Sequence, residues 1–385
     1  MKRFLEEAGR HPWYATHRNS GDLTSWPVLK KSDLYEKMAQ GIGATTSGVY
    51  YSRSGGTTGG RPFFFPVDCR ENHRQRRILA RELRRVGVLS PQTVAVNILP
   101  IVRMYRSMEI FNEYCERCGA TVLPMAAQAE DREIADIALQ LNANMLIGMP
   151  SRMVMFARFL EDSGIRLSLG SVLFGGEYLQ PGKREVLGRV LGVTRFSGVY
   201  GSAELGVIAV ARDLKERPTY LFPKSLVHAE ILSPDSQGFG KLVVTNLIRR
   251  RFPLIRFETG DIARLASGEA SSVSVELGGR EGDSFLIGDN YHSLAEFKRV
   301  LQPFSEFQIL LRYDGAAKRD VIRFTLVEAQ PLDERKRSVV VSELHRLLDA
   351  HEGMFAVEVV FAKGHELKRV PTSLKVPTIL DERGR

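Results

Sequence analysis

Residues 51–65 read YSRSGGTTGGRPFFF, and the four glycines, two threonines and one serine packed into residues 54–60 are the densest chemical signal in the chain. Ordered glycine costs backbone entropy, so such a cluster marks a backbone that turns sharply or comes close to something. A phosphate is one candidate, because successive N–H groups and threonine hydroxyls can line an anion-binding concavity. A plain glycine-rich surface turn is the other. The common P-loop is excluded: after Gly55 and Gly60 it needs Lys and then Ser or Thr, and here Arg61 and Pro62 follow. Cys115 and Cys118 form a C-x-x-C with no second pair, on a helical face shared with Phe111 and Tyr114. That placement favours buried thiols over a metal or redox site. Neither a Ser-His-Asp order nor an H-E-x-x-H pattern supports a hydrolase.

These residues must be held by a sizeable scaffold. At 385 residues the chain is long for a single core, and one large domain with a small one is expected. Hydrophobic content of 43% with 26% charged residues is ordinary for a globular protein. No apolar run approaches the roughly 18 residues needed to cross a bilayer, and residues 1–14 contain no signal-peptide block, so a cytoplasmic protein without a membrane partner is expected. Three cysteines agree with a reducing compartment. The net charge of +9 is densest in RENHRQRRILARELRRVG, where Arg74, Arg77, Arg81, Arg84 and Arg85 share a helix with Ile78, Leu79, Leu83 and Val86. An amphipathic helix with a solvated basic face explains that run without a nucleic-acid partner, while the excess positive charge would attract polyanionic reactants.

From about Thr93 to Tyr200, short apolar runs (TVAVNILP, ATVLPM, NMLIGMP, SVLFGGE, VTRFSGVYG) alternate with helical patterns, which predicts an α/β domain with a mostly parallel, helix-covered sheet. Residues 226–265 are β-rich with no long helix and predict a more antiparallel subdomain. Beyond residue 283 the order helix, hairpin, helix, strand predicts a small C-terminal α+β domain. The expected division is 1–279 and 284–385, with a hinge at 280–283.

Six segments in chain order carry a further signal: SGGTTGGRP at 54–62, FGGEYL at 174–179, VYGSAELG at 199–206, PLIRFETGD at 253–261, GGREGD at 278–283 and RVPTSLKV at 369–376. Together they resemble the adenylate-forming superfamily of acyl-CoA synthetases and adenylation domains, within it the phenylacetate-CoA ligase-like branch, over nearly the whole chain. The resemblance implies that Ser54, Gly55, Gly56, Thr57, Thr58 and Gly59 wrap ATP phosphates, with Arg61 standing in for a usual lysine. It implies Gly175, Gly176 and Glu177 as the adenine-facing wall, and Tyr200, Gly201 and Ser202 beside the nucleotide. Glu204 would be the Mg²⁺ ligand, Asp261 the acceptor for the ribose hydroxyls, and Arg280 a ribose or phosphate ligand at the domain junction. Lys375 would be the catalytic lysine of the adenylation pose. Where relatives place a pivot aspartate, Gly282 stands, followed by Asp283; Leu374 replaces the glycine usual before the lysine. Met104, Tyr105, Met108, Phe174 and Gly198 are candidates for the acyl pocket. Taken singly, Glu204 could be a surface carboxylate at a strand end and Asp261 a turn cap.

The implied function is ATP-dependent activation of a small-molecule carboxylic acid, aryl or arylacetic by the branch's habit, followed by transfer to a thiol. Coenzyme A is the default acceptor. The alternatives are delivery to the phosphopantetheine of a carrier protein or to a reductase, and a non-catalytic nucleotide- or RNA-binding protein on the same fold. Self-acylation at a C-terminal cysteine is excluded, because no cysteine follows Cys118. The sequence does not fix the oligomeric state.

Overall fold

The computed structural model describes residues 2–17, 21–39, 47–58, 61–101, 104–179, 181–212, 214, 219–280, 284–287, 290–316, 319–348, 355–370 and 375–383. Its contacts divide the chain into two compact units, the first made of residues 1–93, 101–122 and 197–280, the second of 94–100, 123–196 and 281–385.

In the first unit the strands Val227–Leu232, Gly240–Asn246, Phe257–Ala266, Ser272–Arg280, Thr219–Pro223, Gly206–Ala211 and Arg195–Ser202 lie side by side in that order, each antiparallel to the next. The antiparallel texture expected for residues 226–265 is therefore present. The helix Cys69–Arg85 starts on Asp68, whose carboxylate accepts from Arg70 N and Glu71 N and fills the N-cap role. It buries Gln75, Arg76, Leu79 and Leu83 and leaves Arg70, Arg74, Arg77, Arg81 and Arg84 exposed, the solvated basic face read from the sequence. Phe4, Leu5, Tyr14, Trp26 and Ile255 form a separate core under the N-terminal segment.

The glycine-rich stretch differs from a simple loop. It forms the middle of a hairpin between Val49–Thr58 and Arg61–Asp68. Pairing runs from Arg53 with Phe64 directly to Thr57 with Pro62, so Ser54, Gly55 and Gly56 oppose a single residue. That is a bulge, and it leaves their backbone groups outside the ladder. Aromatic and β-branched residues at 50, 51, 63–65 and 67 supply strand preference, and buried Phe65 and Val67 anchor it.

In the second unit Ser171–Phe174, Met145–Gly148 and Val94–Asn97 form a parallel array in that order. The first two are buried at every position, as parallel strands covered on both faces require. Helices Asp131–Gln140, Pro150–Asp162 and Pro181–Leu191 occupy the intervals between such strands, where the alternation placed them. The C-terminal residues form a sheet ordered Phe355–Phe361, Arg319–Glu328, Phe304–Asp314, Ile379–Asp381. Helices Leu294–Leu301 and Glu334–Leu347 join it around a core that includes Phe297, Phe304, Ile309, Phe324 and Leu344. Gly182 permits the helix Pro181–Leu191 to touch that sheet: a Cβ there would stand 2.2 Å from the Phe304 carbonyl oxygen.

Candidate active site

In the first unit, register sets the central group. Asp261 pairs with Arg280 across adjacent strands, and the Arg280 Nε lies 3.1 Å from its Oδ1. The other oxygen, Oδ2, accepts a 2.5 Å hydrogen bond from the Tyr200 hydroxyl. Asp261 N donates to Thr259 Oγ1 at 3.2 Å. Tyr200 packs against Tyr220 and Phe222, with ring centroids 5.8 and 5.5 Å away. Burial pushes its hydroxyl well above the ordinary tyrosine value, and the adjacent Asp261 charge pushes the same way, so it remains a donor. Three expected residues, Tyr200, Asp261 and Arg280, thus meet although their positions span 80 residues of chain. A phenol and a guanidinium flanking one carboxylate suit the orientation of vicinal hydroxyls.

Gly201 and Ser202 end the strand Arg195–Ser202, and Ser202 Oγ accepts from Leu205 N at 3.2 Å in the turn that follows. Glu204, in that turn, is only 2% exposed and not a surface carboxylate. Lys31 Nζ lies 3.0 Å from its Oε1, and Arg249 donates to its backbone carbonyl. Gln75 fastens the turn. Its Nε2 donates to Leu205 O at 2.8 Å and Val207 O at 2.7 Å, and its Oε1 accepts from Asn246 Nδ2 at 3.1 Å. Lys31, Gln75 and Arg249 were not singled out in the sequence, because their partners lie 45 to 173 positions away. Among the described residues no group of three or more His, Cys, Asp or Glu gathers. A hard carboxylate oxygen with no well-aligned hydrogen bond nevertheless fits Mg²⁺ held jointly with phosphate oxygens, which needs only one or two carboxylates.

The strand Val49–Thr58 holds Ser54, Gly55, Gly56, Thr57 and Thr58, and Arg61 opens its partner; Gly59 lies outside the described residues, as do Gly282 and Asp283. Met104 is exposed with a left-handed φ of 71°, Tyr105 and Met108 are half-buried, and Gly198 is buried within its strand. Cys115 and Cys118 are buried free thiols; burial pushes Cys115 up to about 12 and Cys118 upward as well.

In the second unit, Phe174 and Gly175 are buried at the end of the strand Ser171–Phe174, and Gly176 turns the chain with a left-handed φ of 82° that favours glycine. Lys375 Nζ donates to the Gly176 carbonyl at 3.0 Å. Glu177 points into the protein: its Oε2 accepts from Ser151 N at 3.0 Å and Ser151 Oγ at 2.7 Å, with Lys183 Nζ 3.4 Å away. Burial raises the Glu177 carboxyl, but Lys183, Ser151 and Lys375 together hold it below the ordinary glutamate value. Lys183 is itself 5% exposed and donates to Ser151 Oγ at 2.7 Å.

No protein-family model matches the chain. Phenylacetate-coenzyme A ligase of Pseudomonas putida is 27% identical over 376 residues, covering 92% of this chain and 83% of that protein. The Escherichia coli enzyme of the same name is 27% identical over 304 residues, 74% of this chain and 67% of its own. The chain is thus similar over most of its length to phenylacetate-coenzyme A ligases, in agreement with the resemblance carried by the six segments. The indoleacetate–lysine synthetase of Pseudomonas savastanoi is 22% identical over 86% of the chain and 82% of itself. The fold agrees: a 2-hydroxyisobutyryl-CoA ligase solved with 2-HIB-AMP in the postadenylation state superposes with a TM-score of 0.77 at 18% identity, over 99% of this chain and 88% of that one. The large mixed sheet with covering helices is that of adenylate-forming CoA ligases.

Proposed function

We propose that the protein activates a carboxylic acid with ATP, releasing pyrophosphate and forming an acyl adenylate, and then transfers the acyl group to the thiol of coenzyme A, releasing AMP. The observation that carries this reading is the placement of Lys375 on the Gly176 carbonyl, which brings a cation from near the C-terminus to the turn expected to face adenine. A carboxylate is a poor electrophile, and the step requires its oxygen held in line with the α-phosphorus while the developing charge is met. Lys375 would supply that charge. Asp261, oriented by Tyr200 and Arg280, would accept the ribose hydroxyls. The bulged backbone at 54–56 would donate to phosphate oxygens. Mg²⁺ would be held by Glu204 and supplies positive charge at the phosphates. In thiolysis the thiol adds to the acyl carbon, the bond to AMP breaks, and the thiol proton passes to solvent. We take residues 284–385 as a small domain turning about 280–283 between the two steps.

An aryl or arylacetic acid is the substrate class supported by the names of the relatives in the branch. A second reading concerns the acceptor. One relative's name joins its acid to lysine, so an amine competes with coenzyme A here. Among the described residues no helix is long and apolar enough to cross a membrane.

The test is ATP–pyrophosphate exchange over a panel of aryl, arylacetic, fatty and amino acids, followed by product analysis with coenzyme A, lysine and a holo carrier protein. Exchange with one acid class and a coenzyme A thioester are expected. Background exchange with every acid would overturn the reading, and an amide product would replace its second half.

A further inference from the structure

Five charged side chains of the second unit alternate in sign around the segment that carries Lys375. Arg369 Nη2 lies 2.8 Å from Glu306 Oε2 and also donates to the Gly364 carbonyl at 3.0 Å. Lys183 Nζ lies 3.8 Å from Glu306 Oε1 and 3.4 Å from Glu177 Oε2. Lys375 sits on the carbonyl of Gly176, the residue before Glu177. The series Arg369, Glu306, Lys183, Glu177, Lys375 therefore starts and ends on one short stretch of chain. Val370 N donates to Lys375 O at 2.8 Å, tying these two residues together. Gln308, two residues from Glu306, holds both flanks: it accepts from Lys368 N at 3.1 Å and donates to Lys368 O at 2.9 Å and Pro377 O at 3.2 Å.

The burial of this series is what demands an explanation. Glu306 is 1% exposed and Lys183 5%, and the described ion pairs of Glu306 are with Arg369 and Lys183, neither of which is a group expected to meet substrate. Apolar residues of similar volume often stabilise a fold as well as a buried ion pair does, so stability alone does not account for the charges. What charges supply is a fixed spacing between the two pieces they join. Glu306 is the shared partner: one oxygen faces Arg369, at the base of the Lys375 stretch, and the other faces Lys183, which grips the Gly176–Glu177 turn through Ser151 and Glu177.

We propose that Glu306 is a positioning residue for adenylation, setting Arg369 and, through the Val370–Lys375 hydrogen bond, Lys375 against the Gly176 turn so that the Lys375 ammonium meets the reacting carboxylate and α-phosphate. This rests on the assignment of Lys375 as the adenylation lysine. Groups acting through one another are non-additive, and a double-mutant cycle detects it.

The cycle uses Glu306→Gln, Lys375→Ala and the double variant in the full chain, with an acid found active in exchange. Each protein is assayed for ATP–pyrophosphate exchange and for consumption of the chemically supplied acyl adenylate with coenzyme A. Glu306→Gln is expected to lower the exchange kcat roughly tenfold with the ATP KM little changed, to leave adenylate consumption within about twofold, and to add less than about twofold once Lys375 is alanine. Glu306→Asp should recover part of the loss. If Glu306→Gln fails to fold, Arg369→Gln enters the same cycle with the same expectation. A full tenfold loss persisting in the Lys375→Ala background, an equal loss in both half-reactions, or no loss would each overturn the proposal. If Lys375→Ala itself leaves exchange unchanged, the assignment of Lys375 fails first and the proposal with it.

Discussion

Replacing Gln75 with leucine tests whether the turn bearing Glu204 is held by one buried amide. The shapes are similar, so packing is nearly conserved while three hydrogen bonds are lost, those to Leu205 O, Val207 O and from Asn246 Nδ2. Each is worth about 1 kcal/mol net, and a buried group left without a partner costs about 1–3 kcal/mol, so a total loss near 3 kcal/mol is expected. With an unfolding entropy of about 2.1 cal/mol/K per residue, the 385-residue chain melting as one would lose about 4 °C in Tm. If the first unit melts alone, the shift is about twice that. Calorimetry gives the shift, and the KM for Mg-ATP in pyrophosphate exchange gives the functional cost, which should rise because Glu204 sits between the tethered Ser202 and Leu205. A Tm within 1 °C of the parent together with an unchanged KM would refute the idea that Gln75 fastens this turn.

Glu204→Ala should abolish Mg²⁺-dependent exchange while the fold survives, because the bound cation is the largest positive charge facing the phosphates; unchanged turnover and Mg²⁺ dependence would remove Glu204 from the site. Tyr200→Phe should raise the KM for ATP several-fold by freeing one Asp261 oxygen, read by steady-state exchange at varied ATP, and an unaltered KM would mean that Tyr200 only fills space. Glu113 offers a pH test: burial raises its carboxyl, but hydrogen bonds from Arg76 at 2.6 Å and Arg117 at 2.7 Å more than offset this and hold it below the ordinary value. Its contribution is therefore present above about pH 4.5 and lost as pH falls through the depressed native value. Glu113→Gln, which leaves buried Arg76 undercompensated, should cost about 3 kcal/mol in urea unfolding at pH 7, and the cost should shrink progressively as the pH is lowered below 4.5; a cost that does not change with pH would contradict the ion pair. Finally, Cys115 and Cys118 should resist a thiol reagent at pH 8 until denaturant is added, and two fast equivalents in the native protein would contradict their burial.

The parallel array was legible because its strands advertise themselves. VLF and MLIG are unbroken apolar runs, and the helices after these strands open on proline, Pro181 and Pro150. The hairpin at 49–68 was harder. Its glycines mark a backbone irregularity but do not distinguish a loop from a bulge, and what decides is Phe65 and Val67 buried on the far strand.

At the level of the site, the sequence shows residue types but not the geometry that joins them. Asp261 and Arg280 face each other because antiparallel register puts them there, and a sequence read without register shows only an acid and a base 19 positions apart. Glu177 illustrates the limit from the other side. The resemblance implies that Gly175, Gly176 and Glu177 line the adenine, and in the structure the Glu177 carboxylate turns inward to Ser151 and Lys183 while the Gly176 carbonyl meets Lys375. Nothing in FGGEYL reports that orientation, since it depends on Ser151 and Lys183 standing behind the turn, 26 positions before Glu177 and 6 after it. A charge whose partners come from separate elements acquires its role only when those elements pack. Motifs of this kind therefore name residue types, and the buried acids and bases between them determine how those side chains are aimed.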